Sequence, residues 1–323
     1  MCTAISVTMG NHYFGRNLDY EHGFGEKITI TPRKYEFRFC NGQTIKEHYA
    51  IIGTALPLNG YPLYFDGANE AGLAMAGLNF PGYAHYEKVK EYKENISSYE
   101  FIPWILSNCK TVEEAKVFLG RINITDDAFA PDTPPSPLHW IISDKEETIT
   151  AEQTKDGFFV HENPVGVLTN SPAFDIQLFN LRNFLSVTSR EAENRFSDKI
   201  DLTPYSRGMG GIGLPGDLSS MSRFVRATFT KLNSRYEDRE EEIVHQFFHI
   251  LYSVYQQNGL ARVGKGFEMT NYSNCINTDK GIYYYTTYYH SGICAVDMHK
   301  ENLDKTELIT LDLRKDADFI MQN

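Results

Sequence analysis

The chain has 323 residues, 41% of them hydrophobic and 23% charged, and its formal net charge is −11. This composition is typical of a globular protein, and the length allows one extensive domain or two small ones. The excess of acidic residues disfavours nucleic acid and anionic membranes as partners, because both carry negative charge. Apolar runs fall well short of the ~18 residues that a membrane-spanning helix needs, so no membrane anchor is expected.

The amino-terminal segment and the cysteines exclude further classes of protein. Residues 1–10, MCTAISVTMG, have no basic region followed by an apolar stretch, so they do not resemble a secretory signal and a cytoplasmic location is expected. The cysteines form no Cys-x-x-Cys pair, which argues against a disulfide framework and a zinc knuckle. They are Cys2, Cys40, Cys109, Cys275 and Cys294.

The first third of the chain predicts short β-strands separated by turns. Residues 3–8 alternate, the Gly10-Asn11 pair is a turn signal, and residues 12–16 can return as the second strand of a hairpin. Further strand-like segments are residues 27–32, 49–56, 63–66 and 73–79. This part of the chain is therefore predicted to be rich in β-structure.

Helices and further strands follow in blocks. Capping boxes from Ser97 to Glu100 and from Thr111 to Glu114 precede helical segments at residues 101–109 and 115–122. A proline-rich loop at 129–138 leads into strands at 139–144 and 148–154. Two more helices are predicted after residue 172, the second with an apolar face between residues 243 and 255. The last predicted strands are residues 281–289, 293–298 and 308–313.

The order of these blocks predicts an α+β fold. Strands and helices do not alternate regularly, as they would in a parallel α/β sheet, and such blocks favour layers of sheet and helix. No linker divides the chain and no internal repeat is present. Residues 1–323 are therefore expected to form one domain.

Two motif-like patterns are better explained without a cofactor or a metal. Gly208–Gly213 matches G-x-G-x-x-G, but a dinucleotide site needs a preceding strand and a helix that begins within the motif, and Pro215 follows closely here. A loop is the favoured interpretation. His245 and His249 have the spacing of two metal ligands, but Gln246 stands where a metalloprotease needs glutamate. We expect no metal and no organic cofactor.

Cys2 is the candidate nucleophile that the residues themselves indicate. Cys40 and Cys109 lie outside the Gly-Ser-Cys context of papain-like enzymes. Methionine aminopeptidase cleaves before small residues, so loss of Met1 would leave a thiol and a free α-amine on one residue. An α-amine has an ordinary pKa of about 7.7–8.0, so it can accept the thiol proton near neutral pH.

The predicted hairpin would bring two charged residues to Cys2. If residues 3–8 pair with the strand that ends at Arg16, then Arg16 and Asp19 return to the level of the amino terminus. An arginine favours thiolate over thiol, and an aspartate can orient the amine. From the residues alone, the alternative stays open that Cys2 is a small second residue with no catalytic role.

Six short segments, spread from residue 2 to about residue 295, match one known family in order and near its spacing. They are MCTAI, HYFGRNLD, AGLAMAGLNFPG, VGVLTNSP, GGIGLPGD and SSMSRFVRATF. Together they resemble the choloylglycine hydrolase family of amino-terminal-nucleophile hydrolases, which contains bile salt hydrolases and penicillin V acylases. The resemblance implies a four-layer αββα sandwich, with two mainly antiparallel sheets between helical layers, and usually a homotetramer.

The resemblance also implies roles for single residues near the amino terminus. Cys2 resembles the nucleophile of the family, with its α-amine as the base and later the acid. Arg16 resembles the arginine beside the thiolate, and Asp19 the aspartate that holds the amine. This mechanism requires that Met1 be removed.

Three residues farther along the chain resemble the rest of the catalytic set. Asn79 resembles the residue whose backbone N–H contributes to the oxyanion hole, and Asn170 its side-chain donor, while Arg223 resembles the last arginine of the active site. Some penicillin V acylases have tyrosine where this chain has Asn79, so the resemblance favours the bile salt hydrolases. Ser171 departs from the family, which commonly has a second asparagine there.

The implied substrate is a bile acid conjugated to glycine or taurine, with penicillin V as the alternative. By position, Leu18, Phe24 and Phe65 resemble pocket residues, and the loop at residues 129–138 is expected to form one wall of the pocket. Ordinary core packing explains these apolar side chains equally well. A protein of this fold that binds bile acids without catalysis is the remaining alternative.

Overall fold

The predicted hairpin forms the centre of one sheet. Strand β1 (Cys2–Met9) pairs antiparallel with β2 (Asn11–Tyr20), and Gly10 makes the turn with a φ of 63°, in the left-handed region that favours glycine. The pairing sets Cys2 opposite Leu18 and Ala4 opposite Arg16. The computed structural model describes residues 1–237, 239–317 and 319–323. Within them the hairpin prediction is confirmed.

The first sheet is antiparallel in every pairing of its strands. Its order is β14 (Val167–Leu168), β1, β2, β16 (Gly266–Asn277), β17 (Ile282–Thr287) and β18 (Cys294–Asp297), with β15 (Ala261–Val263) paired to the start of β16. The hairpin is therefore enclosed on both sides, by β14 and by β16.

The second sheet is also antiparallel. Its order is β13 (Gly157–Glu162), β12 (Thr148–Thr154), β11 (Leu138–Ser143), β8 (Ala74–Asn79), β7 (Tyr61–Asn69), β6 (Ile51–Leu58), β3 (Lys27–Thr31) and β19 (Ile309–Asp312). Two small sheets lie outside it: β4 (Phe37–Arg38) pairs antiparallel with β5 (Thr44–Ile45), and β9 (Glu94–Ser97) pairs parallel with β10 (Ile122–Thr125).

Helices cover the outer face of each sheet. Helices α1 (Phe101–Asn108) and α2 (Val112–Leu119) share a buried apolar cluster with the second sheet. Helices α4 (Ser220–Asn233) and α5 (Glu240–Tyr252) pack on β1 and its neighbours in the first sheet. A second cluster fills the space between the sheets, where β1 and β2 contact β8. The layers are therefore helix, sheet, sheet and helix, and the predicted αββα sandwich is confirmed.

The shorter helices connect these layers. Helix α3 (Phe174–Asn180) runs into a 3₁₀ helix at Leu181–Phe184, and two more 3₁₀ helices lie at Met209–Gly211 and Met298–Lys300. The glycine-rich segment 208–213 thus forms a loop with one short turn of helix, as predicted. Across the parts of the chain that the structure describes, no helix is both long enough and apolar enough to span a bilayer.

The sequence did not predict several of the short strands, and it also missed three longer elements. They are the central strand β16, the edge strand β13 and the helix α3. Strand β16 matters most, because it lies beside β2 and carries polar side chains that contact the candidate site.

Candidate active site

Cys2 lies at the start of β1 in a buried position, with 5% of its surface exposed. Its backbone nitrogen donates a hydrogen bond to Oδ1 of Asn170 at 2.7 Å. Its carbonyl accepts a hydrogen bond from Nη1 of Arg223 at 2.5 Å. Both polar groups of the Cys2 backbone are therefore held by residues that were predicted to belong to the same site.

Arg16 is fully buried on β2, close to Cys2. Its Nη1 donates to the carbonyl of Gly77 at 2.6 Å and to that of Phe65 at 3.0 Å, which fixes the guanidinium between the sheets. Burial alone would lower the pKa of Arg16, but the negative charge of an ionised Cys2 and that of Asp66 help to raise it above its ordinary value. The guanidinium therefore stays cationic where it can favour a thiolate.

A buried polar network lies behind Arg16. Asp66 accepts hydrogen bonds from the hydroxyl of Tyr272 at 2.5 Å and from Nδ2 of Asn274 at 2.6 Å. Asn274 in turn accepts the backbone N–H of Arg16 at 2.7 Å. Burial raises the pKa of Asp66, whereas the charge of Arg16 and the two side-chain donors lower it. These contacts join β2, β7 and β16 around the guanidinium.

Asp19 is buried on the same strand as Arg16. Its carboxylate accepts hydrogen bonds from Oγ1 of Thr270 at 2.6 Å and from Nε2 of Gln256 at 3.2 Å. Burial raises the pKa of Asp19, while the charges of Arg223 and of the amino terminus lower it. The carboxylate is thus anchored, and it lies within electrostatic reach of the amino terminus.

Met1 extends the strand pairing by one residue. Its amino group donates to the carbonyl of Asp19 at 2.8 Å and forms a salt bridge with Oε1 of Glu268, also at 2.8 Å. The N–H of Asp19 donates back to the carbonyl of Met1 at 3.0 Å. Glu268 is buried, and its Oε2 has no hydrogen-bond partner among the described residues. The amino terminus therefore lies in an acidic environment formed by Asp19 and Glu268.

Asn170 connects the other residues of the site. It follows β14, and its Oδ1 accepts both the N–H of Cys2 and Nη2 of Arg223, each at 2.7 Å. Its Nδ2 donates to the carbonyl of Asn79 at 2.7 Å. Since Oδ1 faces two donors and Nδ2 faces an acceptor, the orientation of the amide is set by its partners. Asn79, at the exposed end of β8, is thereby joined to Cys2 through a single side chain.

Arg223 lies in the first turn of α4, whose N-cap is Ser219. It donates to Oγ1 of Thr3 at 2.7 Å and to the carbonyl of Leu218 at 3.0 Å, in addition to its bonds to Cys2 and Asn170. Burial lowers the pKa of Arg223, and the nearby charge of Asp19 counteracts this effect. The first turn of α4 therefore places the buried guanidinium of Arg223 beside the carbonyl of Cys2.

The predicted pocket residues differ in how they are placed. Leu18 is buried opposite Cys2 in the hairpin. Phe24 and Phe65 are half-buried neighbours with ring centroids 5.6 Å apart. In the loop at residues 129–138, the ring of Phe129 contacts that of Tyr61, with centroids 5.9 Å apart. Leu18 belongs to the core cluster that also contains Cys2, and Phe24 and Phe65 pack against that cluster.

Several partners of these residues were not predicted from the sequence. Thr3 binds Arg223, and Thr270 binds Asp19. Asp66 binds Asn274, and Glu268 binds the amino terminus. Thr3 had a sequence signal, because it directly follows the candidate nucleophile. Asp66, Glu268 and Thr270 had no such signal, because they are far from the hairpin in the sequence and come close to it only in the folded chain. Among the residues that the structure describes, no group of three or more His, Cys, Asp and Glu side chains could hold a metal ion.

Comparisons with known proteins show the family of this chain. Residues 2–311 match the model of the linear amide C–N hydrolases, choloylglycine hydrolase family. The chain is 52% identical over 324 residues to a bile salt hydrolase/transferase of Lactiplantibacillus plantarum, covering 100% of both chains. It is 39% identical to a bile salt hydrolase/transferase of Clostridium perfringens, covering 98% of both.

Solved structures give the same result. A crystal structure of a mutant of the conjugated bile acid hydrolase from Clostridium perfringens superposes with a TM-score of 0.93 at 38% identity, covering 100% of both chains. Penicillin V acylase from Agrobacterium tumefaciens shares the fold, with a TM-score of 0.77 at 22% identity, over 96% of this chain and 91% of that one. The protein therefore belongs to the choloylglycine hydrolase family of linear amide C–N hydrolases.

Proposed function

We propose that this protein hydrolyses the amide bond of bile acids conjugated to glycine or taurine, with Cys2 as the nucleophile. One observation carries the proposal: the backbone nitrogen and carbonyl of Cys2 are held by Asn170 and Arg223, in a buried site that also contains Arg16 and Asp19. The names of the relatives described above support the choice of bile salts as substrates.

The thiol of Cys2 is activated by its own amine once Met1 has been removed. The nitrogen that now donates to Asn170 then becomes an α-amine, a base of suitable strength at neutral pH. The amine takes the thiol proton, and the positive charges of Arg16 and Arg223 favour the thiolate. Asp19 and Glu268, which act on the amino group of Met1 one residue away, supply the negative charge that stabilises the ammonium that forms.

The reaction then proceeds by acyl transfer. The thiolate attacks the amide carbonyl, and the oxyanion receives hydrogen bonds from Nδ2 of Asn170 and from the backbone N–H of Asn79. The ammonium of Cys2 protonates the leaving amine, the C–N bond breaks and a thioester remains. Water, deprotonated by the same amine, attacks the thioester, which releases the bile acid and restores the thiol. Leu18, Phe24 and Phe65 provide the apolar surface that a steroid needs.

The test of this proposal is the release of glycine or taurine from conjugated bile acids. We expect the wild type to release the amino acid, and Cys2→Ala and Cys2→Ser to lose that activity. Cys40→Ala is the control, because Cys40 is exposed and bonds to Ser97 and Glu100 away from the site. A Cys2→Ala protein that still releases glycine from glycocholate would exclude the nucleophile.

Two further measurements separate the alternatives. For a bile salt hydrolase, kcat/KM is higher for glycocholate than for penicillin V, and the opposite order would make the protein a penicillin V acylase. A protein that only binds bile acids would leave Cys2 unreactive towards iodoacetamide at neutral pH, whereas we expect rapid labelling of this residue.

We further propose that residues 1–323 act as one hydrolase domain, that the protein assembles as a homotetramer and that it works in the cytoplasm. Large side chains exposed along residues 179–205 support an interface: Phe179, Leu185, Phe196 and Tyr205 have 64%, 86%, 84% and 85% of their surface exposed. Light scattering should then give four times the chain mass of 36.9 kDa. A monomer would contradict the assembly, and recovery outside the cytoplasm on cell fractionation would contradict the location.

A further inference from the structure

A buried histidine and a buried glutamate lie beside the proposed oxyanion hole, and the mechanism above does not use them. His139, on β11, has no exposed surface, and Glu152, on β12, has 1% exposed. Nδ1 of His139 lies 2.8 Å from Oε1 of Glu152. Burying two ionisable groups costs folding free energy unless both are hydrogen-bonded. The contacts of this pair therefore indicate what it holds in place.

His139 is attached to the segment that contains Asn79. Its backbone pairs with Leu78 across the two strands. Its ring stacks on that of Phe80, with centroids 4.2 Å apart and an angle of 7° between the planes. The residues on both sides of Asn79 are therefore held by the same histidine.

The other ring nitrogen of His139 is attached to the segment that contains Asn170. Nε2 lies 2.9 Å from the carbonyl of Thr169. Because a carbonyl can only accept, Nε2 must carry the hydrogen. The backbone of Thr169 is thereby fixed one residue before the side chain that connects Cys2, Arg223 and Asn79.

Glu152 completes the connection. Its Oε1 accepts the N–H of Phe174 at 3.1 Å, at the start of the helix that follows Asn170. Its Oε2 lies 3.7 Å from Nε2 of His161. With Nε2 of His139 donating to Thr169, a second hydrogen must lie between Nδ1 of His139 and Oε1 of Glu152, because two lone pairs would otherwise face each other. Glu152 therefore joins His139 to the first residue of α3.

We infer that His139 and Glu152 are positioning residues that hold the two oxyanion donors, the N–H of Asn79 and Nδ2 of Asn170, at a fixed separation. This inference rests on the proposed function. The charged residues that act on the thiol have bonds that do not depend on the pair: Arg16 binds the carbonyls of Phe65 and Gly77, and Asp19 binds Thr270. Arg223, although it also binds Asn170, is held by Thr3 and by the carbonyls of Cys2 and Leu218. Loss of the pair should therefore slow acyl transfer and leave the reactivity of the thiol unchanged.

The first variant is His139→Phe, which retains an aromatic ring against Phe80 but cannot donate to Thr169. A misplacement of about 1 Å in a catalytic group can reduce the rate by roughly 10²-fold. We expect kcat for glycocholate to fall by about 10- to 100-fold, with KM little changed. The rate of Cys2 alkylation by iodoacetamide should equal that of the wild type, because this displacement reaction forms no oxyanion.

The second comparison is between Glu152→Gln and Glu152→Ala. The glutamine can donate to Nδ1 of His139 and accept the N–H of Phe174, so it should restore most of kcat, whereas the alanine should lower kcat as His139→Phe does. His48→Phe is the matched control. His48 also bonds to two carbonyls, those of Tyr49 and Tyr35, and its ring packs on that of Phe37, which belongs to a different apolar cluster from Cys2. Its kcat should remain that of the wild type.

The outcomes distinguish this inference from the proposed function. An inactive wild type, or activity that survives Cys2→Ala, would overturn both. An active wild type would overturn the inference alone if His139→Phe kept full kcat. Equal losses of kcat and of Cys2 alkylation in His139→Phe, or equal activity of Glu152→Gln and Glu152→Ala, would also overturn it, because each would indicate a general structural role.

Discussion

Two cations and two carboxylates are buried within reach of Cys2, and each has partners that fix it. Arg16 and Arg223 supply positive charge, while Asp66 and Asp19 balance it. Ions buried without partners would cost several kcal/mol each, so the hydrogen bonds around them are a condition of folding. The same bonds hold the charges where the thiolate and the oxyanion of the proposed reaction form.

The Asn170 side chain accepts hydrogen bonds through Oδ1 and is the proposed oxyanion donor through Nδ2, and a substitution can separate these two functions. In Asn170→Asp the carboxylate can still accept from Arg223 and from the nitrogen of Cys2, but Nδ2 is lost as a donor. We expect kcat to fall by about 10²–10³ in Asn170→Asp and in Asn170→Ala alike, because loss of one oxyanion donor has this effect. Steady-state kinetics on glycocholate measure it. An Asn170→Asp enzyme with nearly full activity would mean that the link to Arg223 matters and the donor does not.

Strand β16 shows why part of the fold could not be predicted from the sequence. Most of its residues are buried, but many of the buried ones are polar, among them Thr270, Ser273 and Asn274. They are buried because they bond to Asp19, Asn17 and Asp66 on other strands. An apolar pattern was therefore absent, and the reason for the strand lies in contacts that only the folded chain contains. The hairpin, by contrast, has its turn and both its strands in adjacent residues.

The approach of β2 to β16 gives a second prediction. A Cβ atom added at Gly15 would lie 2.0 Å from the carbonyl oxygen of Asn274, which belongs to a rigid strand. We expect Gly15→Ala to lower the free energy of unfolding by about 1–3 kcal/mol, because the two strands must move apart. Urea unfolding measures this difference. Gly211→Ala, where an added Cβ meets no atom within 4 Å, should be nearly neutral, and equal stability of the two variants would contradict the close approach.

His12, on β2, makes the stability of the hairpin depend on pH. It is buried between Ser6, Ser143 and Thr278, and burial lowers its pKa from 6.5 to about 4. The unfolded chain therefore binds the proton more tightly than the folded one. The contribution of His12 is complete above pH 6.5 and is lost as the pH falls to about 4.

The expected loss over that interval is about 3 kcal/mol of unfolding free energy, from 1.36 kcal/mol for each pKa unit. Urea unfolding of the wild type and of His12→Gln, measured across the interval, tests it. The variant should show a flatter dependence on pH. Parallel curves for the two proteins would contradict the assignment to His12.

At the scale of the whole molecule, the candidate site collects residues from distant parts of the fold. Cys2, Arg16 and Asp19 come from the first sheet, Asn79 from the end of a strand in the second, and Arg223 from the outer helical layer. The residues alone could predict only the first three as neighbours, through the hairpin. The proximity of Asn79, Asn170 and Arg223 was implied by the family resemblance, because no local spacing connects residues so far apart in the chain.

The central claim is that the free amine of Cys2 makes its thiol a nucleophile for bile salt amides. The most direct measurement compares the chain that retains Met1 with the chain that begins at Cys2, each verified by intact mass, for the release of glycine from glycocholate. We predict activity in the form with a free Cys2 and, after rapid acid quenching, a bile acyl group on that residue. The form with Met1 should be inactive. Equal glycine release by both forms would contradict the claim.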